Sequence, residues 1–252
     1  MDDAPSADDA VPVPQRLLVA VAGLALLMVI AAVSRHGLDA LISSGDDVGC
    51  WSCVVLHVLC ATIALYAGYR VIAAAFPLAG LIRRSADNGA AAIQASAHLL
   101  GAGFVAAASW GGATWSSLGV SAAFWALGIT AIIAIAAGHR LLTRYADHEE
   151  IADGNIASAL ASAGLHLAVA LVVGLAITGP FTTWFDSLGH FGCALLWAVA
   201  LWPIRQVVLA RLILGLTPRQ LDAAIAQRRD PWLGAAEAVC YVGSAICLAA
   251  GW

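Results

Sequence analysis

The chain is predicted to be an all-α, polytopic integral membrane protein: a bundle of about seven membrane-spanning helices. Three observations make the prediction. Hydrophobic residues fill 62% of the 252 positions, against roughly 45–50% in a soluble domain. Charged residues are 11%, where about 25% is usual. The apolar residues gather into seven runs close to the length needed to cross about 30 Å of hydrocarbon. A chain this short keeps too much surface to hide such a composition in water. A soluble enzyme, a nucleic-acid-binding module and a disordered protein are therefore excluded.

The elements follow in order. Residues 1–15 begin MDDAPSADDA and form an acidic, solvated tail. The first span is 16–33. Asp2, Asp3, Asp8 and Asp9 precede it, so it reads as a retained helix and not as a secretory signal with its positive start. The other spans are 51–76, 90–108, 118–138, 155–177, 186–208 and 232–251. The link 34–49 carries Asp39, Asp46 and Asp47. In the link 217–231, Thr217 can cap a helix, Pro218 suits its first turn and Pro231 stops it. Leu221 and Ile225 lie one turn apart there, as in an interfacial helix. Eleven of the 12 arginines fall at the tail or in alternate links, and only Arg35 falls opposite. By the positive-inside rule the N-terminus is cytoplasmic and the C-terminus lies outside. Trp51, Trp110, Trp115, Trp184 and Trp252 mark the outer boundary, and Trp232 the inner one.

A parallel repeat appears in the inner links. Arg83 to Gly103 reads RRSADNGAAAIQASAHLLGAG, and Asp147 to Leu167 reads DHEEIADGNIASALASAGLHL. Asn88 and Asn155 each open an Ala- and Ser-rich run leading into a span. Gln227 to Gly243 is a weaker third copy, with Pro231 near the Asn position. Gly154, Ser158 and Ser162, then Gly234 and Ala238, form small-residue stripes that let helices approach closely. Asp147 and Glu150 have capping-box spacing. The segment EEIADGNIASALASAG resembles the signature of the bacterial inner-membrane family known as domain of unknown function 350, and DPWLGAAEAVCYVGSAI resembles its closing element. The resemblance spans about 82–252 as tandem or degenerate units. It divides the chain into a tail (1–15), two N-terminal helices (16–81), a first unit (82–146) and a second unit with a closing helix (147–252). It also implies a bacterial inner membrane.

Ionisable groups at membrane depth are the candidate functional residues. His57, His98, His166 and Glu237 fall within spans, with Asn88 and Asn155 at the span entrances. They point to a pore or proton relay. Glu237 needs a partner, for which Arg70, Arg205 or a His would serve. Paired His residues could instead hold haem b; no other cofactor is expected, and no spacing marks a metal site. Cys50 and Cys53 form a C-x-x-C at a span entrance, read as a disulfide, free thiols, a redox pair or ligands. There is no phosphate loop, H-E-x-x-H or G-x-S-x-G, so an enzyme is not expected. The favoured function is an ion or small-solute channel or transporter-like pore. The alternative is a non-catalytic anchor or scaffold subunit of a membrane complex, and a thiol-redox or haem protein comes third. Expected partners are membrane lipid and further copies or subunits in an oligomer, not nucleic acid.

Overall fold

The computed structural model describes residues 13–44, 48–76, 87–111, 114–143, 145–179 and 181–250; the side chains of 38, 40, 41, 43, 44, 48–50 and 249 lie outside that description. Among the described residues the regular structure is helical: α1 (Val13–Ser44), α2 (Val48–Ala75), α3 (Gly89–Ser109), α4 (Trp115–Arg140), α5 (Asp147–Ala152), α6 (Ile156–Ile177), α7 (Trp184–Pro203), a π-helical segment (Ile204–Ile213), α8 (Pro218–Ala226) and α9 (Pro231–Ala250). Seven of these stretches are long and apolar enough to cross a membrane. The protein is thus a helical, multi-pass membrane bundle.

Three local expectations need correction. The link predicted over 34–49 is helical through Ser44, because nothing in that stretch stops a helix except the single Gly37. The sixth span runs past 208 to Ile213. Pro203 cannot donate to the ladder and crowds the carbonyl one turn back, and the helix widens after it: Leu214 donates to Leu209 O, five residues back, at 3.0 Å. The capping box at Asp147 and Glu150 does not form. Ala146 is the cap residue of α5, with no side-chain cap bond. Asp147 turns instead toward Arg140, 3.7 Å away. The cap expected at Thr217 does form, and Gln220 completes it as a capping box at the start of α8.

Helices α1, α3, α6 and α9 pack in that order as a row. The reversed helices lie over its seams: α2 against α1 and α3, α4 against α3 and α6, α7 against α6 and α9. The row is held at one end by two asparagines in the same role. Asn88 accepts from Ala91 N to cap α3, and its amide donates to Ile151 O and Ala152 O at the end of α5 (3.0 and 3.1 Å). Asn155 accepts from Ser158 N to cap α6, and its amide donates to Ile225 O and Ala226 O at the end of α8 (3.0 and 3.2 Å). Each amide therefore satisfies orphan groups of two helices, an N–H of one and carbonyls of another. At the third position Asp230 accepts from Trp232 N. Arg229 just before it has φ 52°, in the left-handed region that Gly154 occupies before Asn155 (φ 80°).

Small residues set the spacing along the row. A Cβ on Gly164 would strike Ala238 Cα, and one on Gly234 would strike the Ala157 carbonyl. The α6–α9 contact thus brings backbone to backbone, which in lipid supplies the packing that hydrophobic burial cannot.

Two predictions follow from these contacts, both read by thermal unfolding in detergent. Asn155→Asp keeps the cap acceptor but loses the bonds to α8, and should cost about 1 kcal/mol; Asn155→Ala should cost about 1 kcal/mol more. An Asp variant as stable as wild type would show that the α8 bonds contribute nothing. Gly164→Ala should lower the midpoint although Ala favours helix, whereas Gly138→Ala, which meets open space, should not.

Candidate functional site: a buried ionisable cluster

Arg205 lies in the π-helical segment and is 1% exposed. A guanidinium keeps its charge and has five N–H donors to satisfy. Its Nε donates to Glu237 Oε1 on α9, and its Nη2 to Asp222 Oδ1 on α8, both at 2.7 Å. With the Gln206 amide oriented to suit its neighbours, Gln206 Oε1 accepts from Arg205 Nη1 at 3.2 Å and from Trp202 Nε1 at 3.1 Å. Asp222 is buried because α8 docks through Leu221 and Ile225 onto Ala157, Ala161, Leu209 and Ala210.

A second group adjoins the first. Asp147 is buried beside Arg140, whose guanidinium sits 4.4 Å from the centre of the Phe76 ring. Phe76 meets His166 edge-on at 5.0 Å, and the His98 and His166 ring centroids are 4.3 Å apart. His166 Nδ1 lies 2.8 Å from Ser162 O, so it carries the proton and donates. Gln94 Nε2 therefore has His98 Nε2, at 2.8 Å, as its acceptor. His166 Nε2 and His98 Nδ1 are left without partners. The two rings are too close to hold a porphyrin between them. A cavity of about 10 Å³ joins the groups, lined by His139, Tyr145, Asp147, Ser162, Glu237 and Tyr241 among others.

Burial pushes the Asp147 carboxyl up to about 6, against the opposing pull of Arg140, with Glu237 adding to the rise. Burial, then Asp147 and Glu237, hold the Tyr145 hydroxyl well above its ordinary value, so it stays protonated.

The opposite end of the bundle is different. A vestibule of about 830 Å³ opens between the ends of α3, α4, α6 and α7, lined by His36, Ser117, Ser121, Thr178, Asp186 and His190 among others. Val105, Val173 and Ile177 close over Gly128 beneath it.

The structure unites some of the residues singled out from sequence and separates others. His98 and His166 touch, Glu237 pairs with Arg205, and Asn88 and Asn155 are cap residues. His57 stands apart near the vestibule, with Nε2 3.1 Å from Ser117 Oγ and its ring near Trp110. Cys53 is buried; the Cys50 side chain lies outside the described residues. Sequence reasoning missed Asp222, Gln94, His139, Trp202, Tyr145 and Tyr241, and read Asp147 as a cap. One signal was available: Asp222 sits on the flank of α8 between Leu221 and Ile225, where a solvated carboxylate does not belong.

Asp147 generates a pH prediction. Its carboxyl titrates near 3.8 in an unfolded chain and near 6 in the fold, so between those values only the folded state holds the proton. The stability this gives is present at low pH and is lost as pH rises through about 6. Unfolding midpoints of wild type minus those of Asp147→Asn should fall between about pH 4 and pH 6.5. A flat difference would mean that Asp147 titrates normally.

No functionally described protein and no solved structure matches the chain. A family model matches residues 113–252, described as Domain of Unknown Function (DUF350). The match begins later than the sequence resemblance at about 82. It takes in Asp147, Asn155, Arg205, Asp222 and Glu237, and leaves out Asn88, Gln94 and His98. Because that match covers more than half of the sequence, including every carboxylate of the buried cluster, the chain belongs to the DUF350 family.

Proposed function

We propose that this protein is a channel or transporter-like pore for an ion or small solute, with a proton relay in its buried half. One observation carries the reading: ionisable groups are concentrated in one buried region of the bundle. Asp222, Arg205 and Glu237 adjoin Tyr241, His139, Tyr145, Asp147 and Arg140 around the small cavity, and the apolar Phe76 ring stands between Arg140 and the His166–His98 pair. His98 is ten residues into its span, about 15 Å from the entrance. Ionisable groups at such depth are expensive, and well-packed apolar residues would hold helices together as firmly. Their concentration in one buried region therefore favours a pathway over a staple.

The vestibule supplies the wide, water-accessible entrance. Val105, Val173 and Ile177 form an apolar barrier below it, and α8 closes the other end. In the orientation set by the arginines, in a bacterial inner membrane, the vestibule faces outward and α8 faces the cytoplasm. A second reading, an anchor subunit or homo-oligomer, draws on an apolar groove of about 530 Å³ between α1 and α9. Its floor includes Ala97, Ala163 and Gly164.

Purified protein in vesicles loaded with a pH-sensitive dye tests the relay. Wild type should dissipate an imposed proton gradient faster than empty vesicles, and His166→Asn should slow that flux about tenfold. Folded wild type that leaks no faster than empty vesicles would sink the relay and favour the anchor reading.

A further inference from the structure

The buried cluster does not balance its charges. Arg140 and Arg205 bring two positive charges; Asp147, Asp222 and Glu237 bring three negative ones. The other ionisable groups around the cavity are His139, Tyr145, Tyr241 and, on α6, His166. None adds a positive charge while neutral. With its carboxylates ionised, the cluster is short of one positive charge in a setting where an uncompensated charge is costly.

The cavity offers a place for it. Its volume of about 10 Å³ is room for roughly one water molecule. Glu237 Oε2 and Asp147 Oδ1 have no hydrogen-bond partner within 3.5 Å, although the residues are only 3% and 7% exposed; the Tyr241 hydroxyl interacts with the Glu237 carboxylate. Ser162 Oγ is also unpartnered. All three residues line the cavity, together with Thr143, Tyr145 and Tyr241. These three atoms are oxygens, which suit a hard cation; His139 Nδ1 and Nε2 and Arg140 Nε, in the same lining, are also unpartnered and leave the oxygens as the cation's side of the cavity. A deficit of one charge suits a monovalent cation better than Ca²⁺ or Mg²⁺. A proton on one carboxyl with a water in the cavity is the competing arrangement, and it predicts a stability that does not respond to Na⁺.

We propose that this cavity binds one sodium ion, held by the free carboxylate oxygens of Glu237 and Asp147 and by the Ser162 hydroxyl. The proposal deepens the transport reading, on which it rests for its role as a coupling ion. Binding itself is measurable without transport.

The full chain in detergent at pH 8 is tested in NaCl, KCl and choline chloride at constant ionic strength. The unfolding midpoint should rise by about 5 °C between 1 and 100 mM Na⁺, and stay level in K⁺ or choline. Radioactive Na⁺ should bind wild type saturably, with about tenfold weaker affinity in Ser162→Ala. Glu237→Gln should abolish binding; because it also disturbs Arg205, the milder Ser162 variant keeps the test decisive if it fails to fold. Equal midpoints in Na⁺ and choline with no saturable Na⁺ binding overturn the proposal, as does stabilisation by acid alone. Saturable Na⁺ binding without vesicle flux would leave the site standing and remove the transport reading.

Discussion

A guanidinium cannot shed its charge inside a membrane, so the protein must bring acceptors to it. Arg205 is the point where this requirement is met, and much of the lower bundle is arranged around it. Its fork draws Glu237 from α9 and Asp222 from α8. Asp222 arrives only because α8 folds back along the end of the bundle, and α8 stays there because Asn155 ties off its last carbonyls. The widened helix after Pro203 carries the arginine itself. Remove the charge and these features lose their common cause.

The two asparagines show how a short polar link is made compatible with tight packing. A span entrance leaves N–H groups unpaired, and the end of a short helix leaves carbonyls unpaired. One amide side chain offers an acceptor and donors at once, so Asn88 and Asn155 each join two such ends. Aspartate can do only the first half, which is what Asp230 does ahead of α9.

The fold was legible because lipid imposes simple rules. Run length and composition located all seven spans, and Thr217 and Pro218 marked the start of α8. The site was less legible. Asn88 and Asn155 stood out because they recur, and Glu237 because it is a carboxylate in an apolar run. Asp147 and Asp222 did not stand out, since in sequence they sit among charged neighbours in links that read as solvated. Their burial depends on α5 and α8 docking against the bundle, a tertiary event that no local pattern carries. Residue counts along the spans separate His57, six residues from Trp51, from Phe76 at the other end of the same span. They do not carry which helices are neighbours, and that is what brings Phe76, His98 and His166 together.

The glycine contacts between α6 and α9 have a mechanical consequence. With Gly164 seated on Ala238 and Gly234 on Ala157, neither helix can slide without lifting off the other along much of its length. Relative motion between the two helices therefore requires their separation. Helix α7, which rests over their seam, carries no such key: Gly189 and Gly192 along it meet open space.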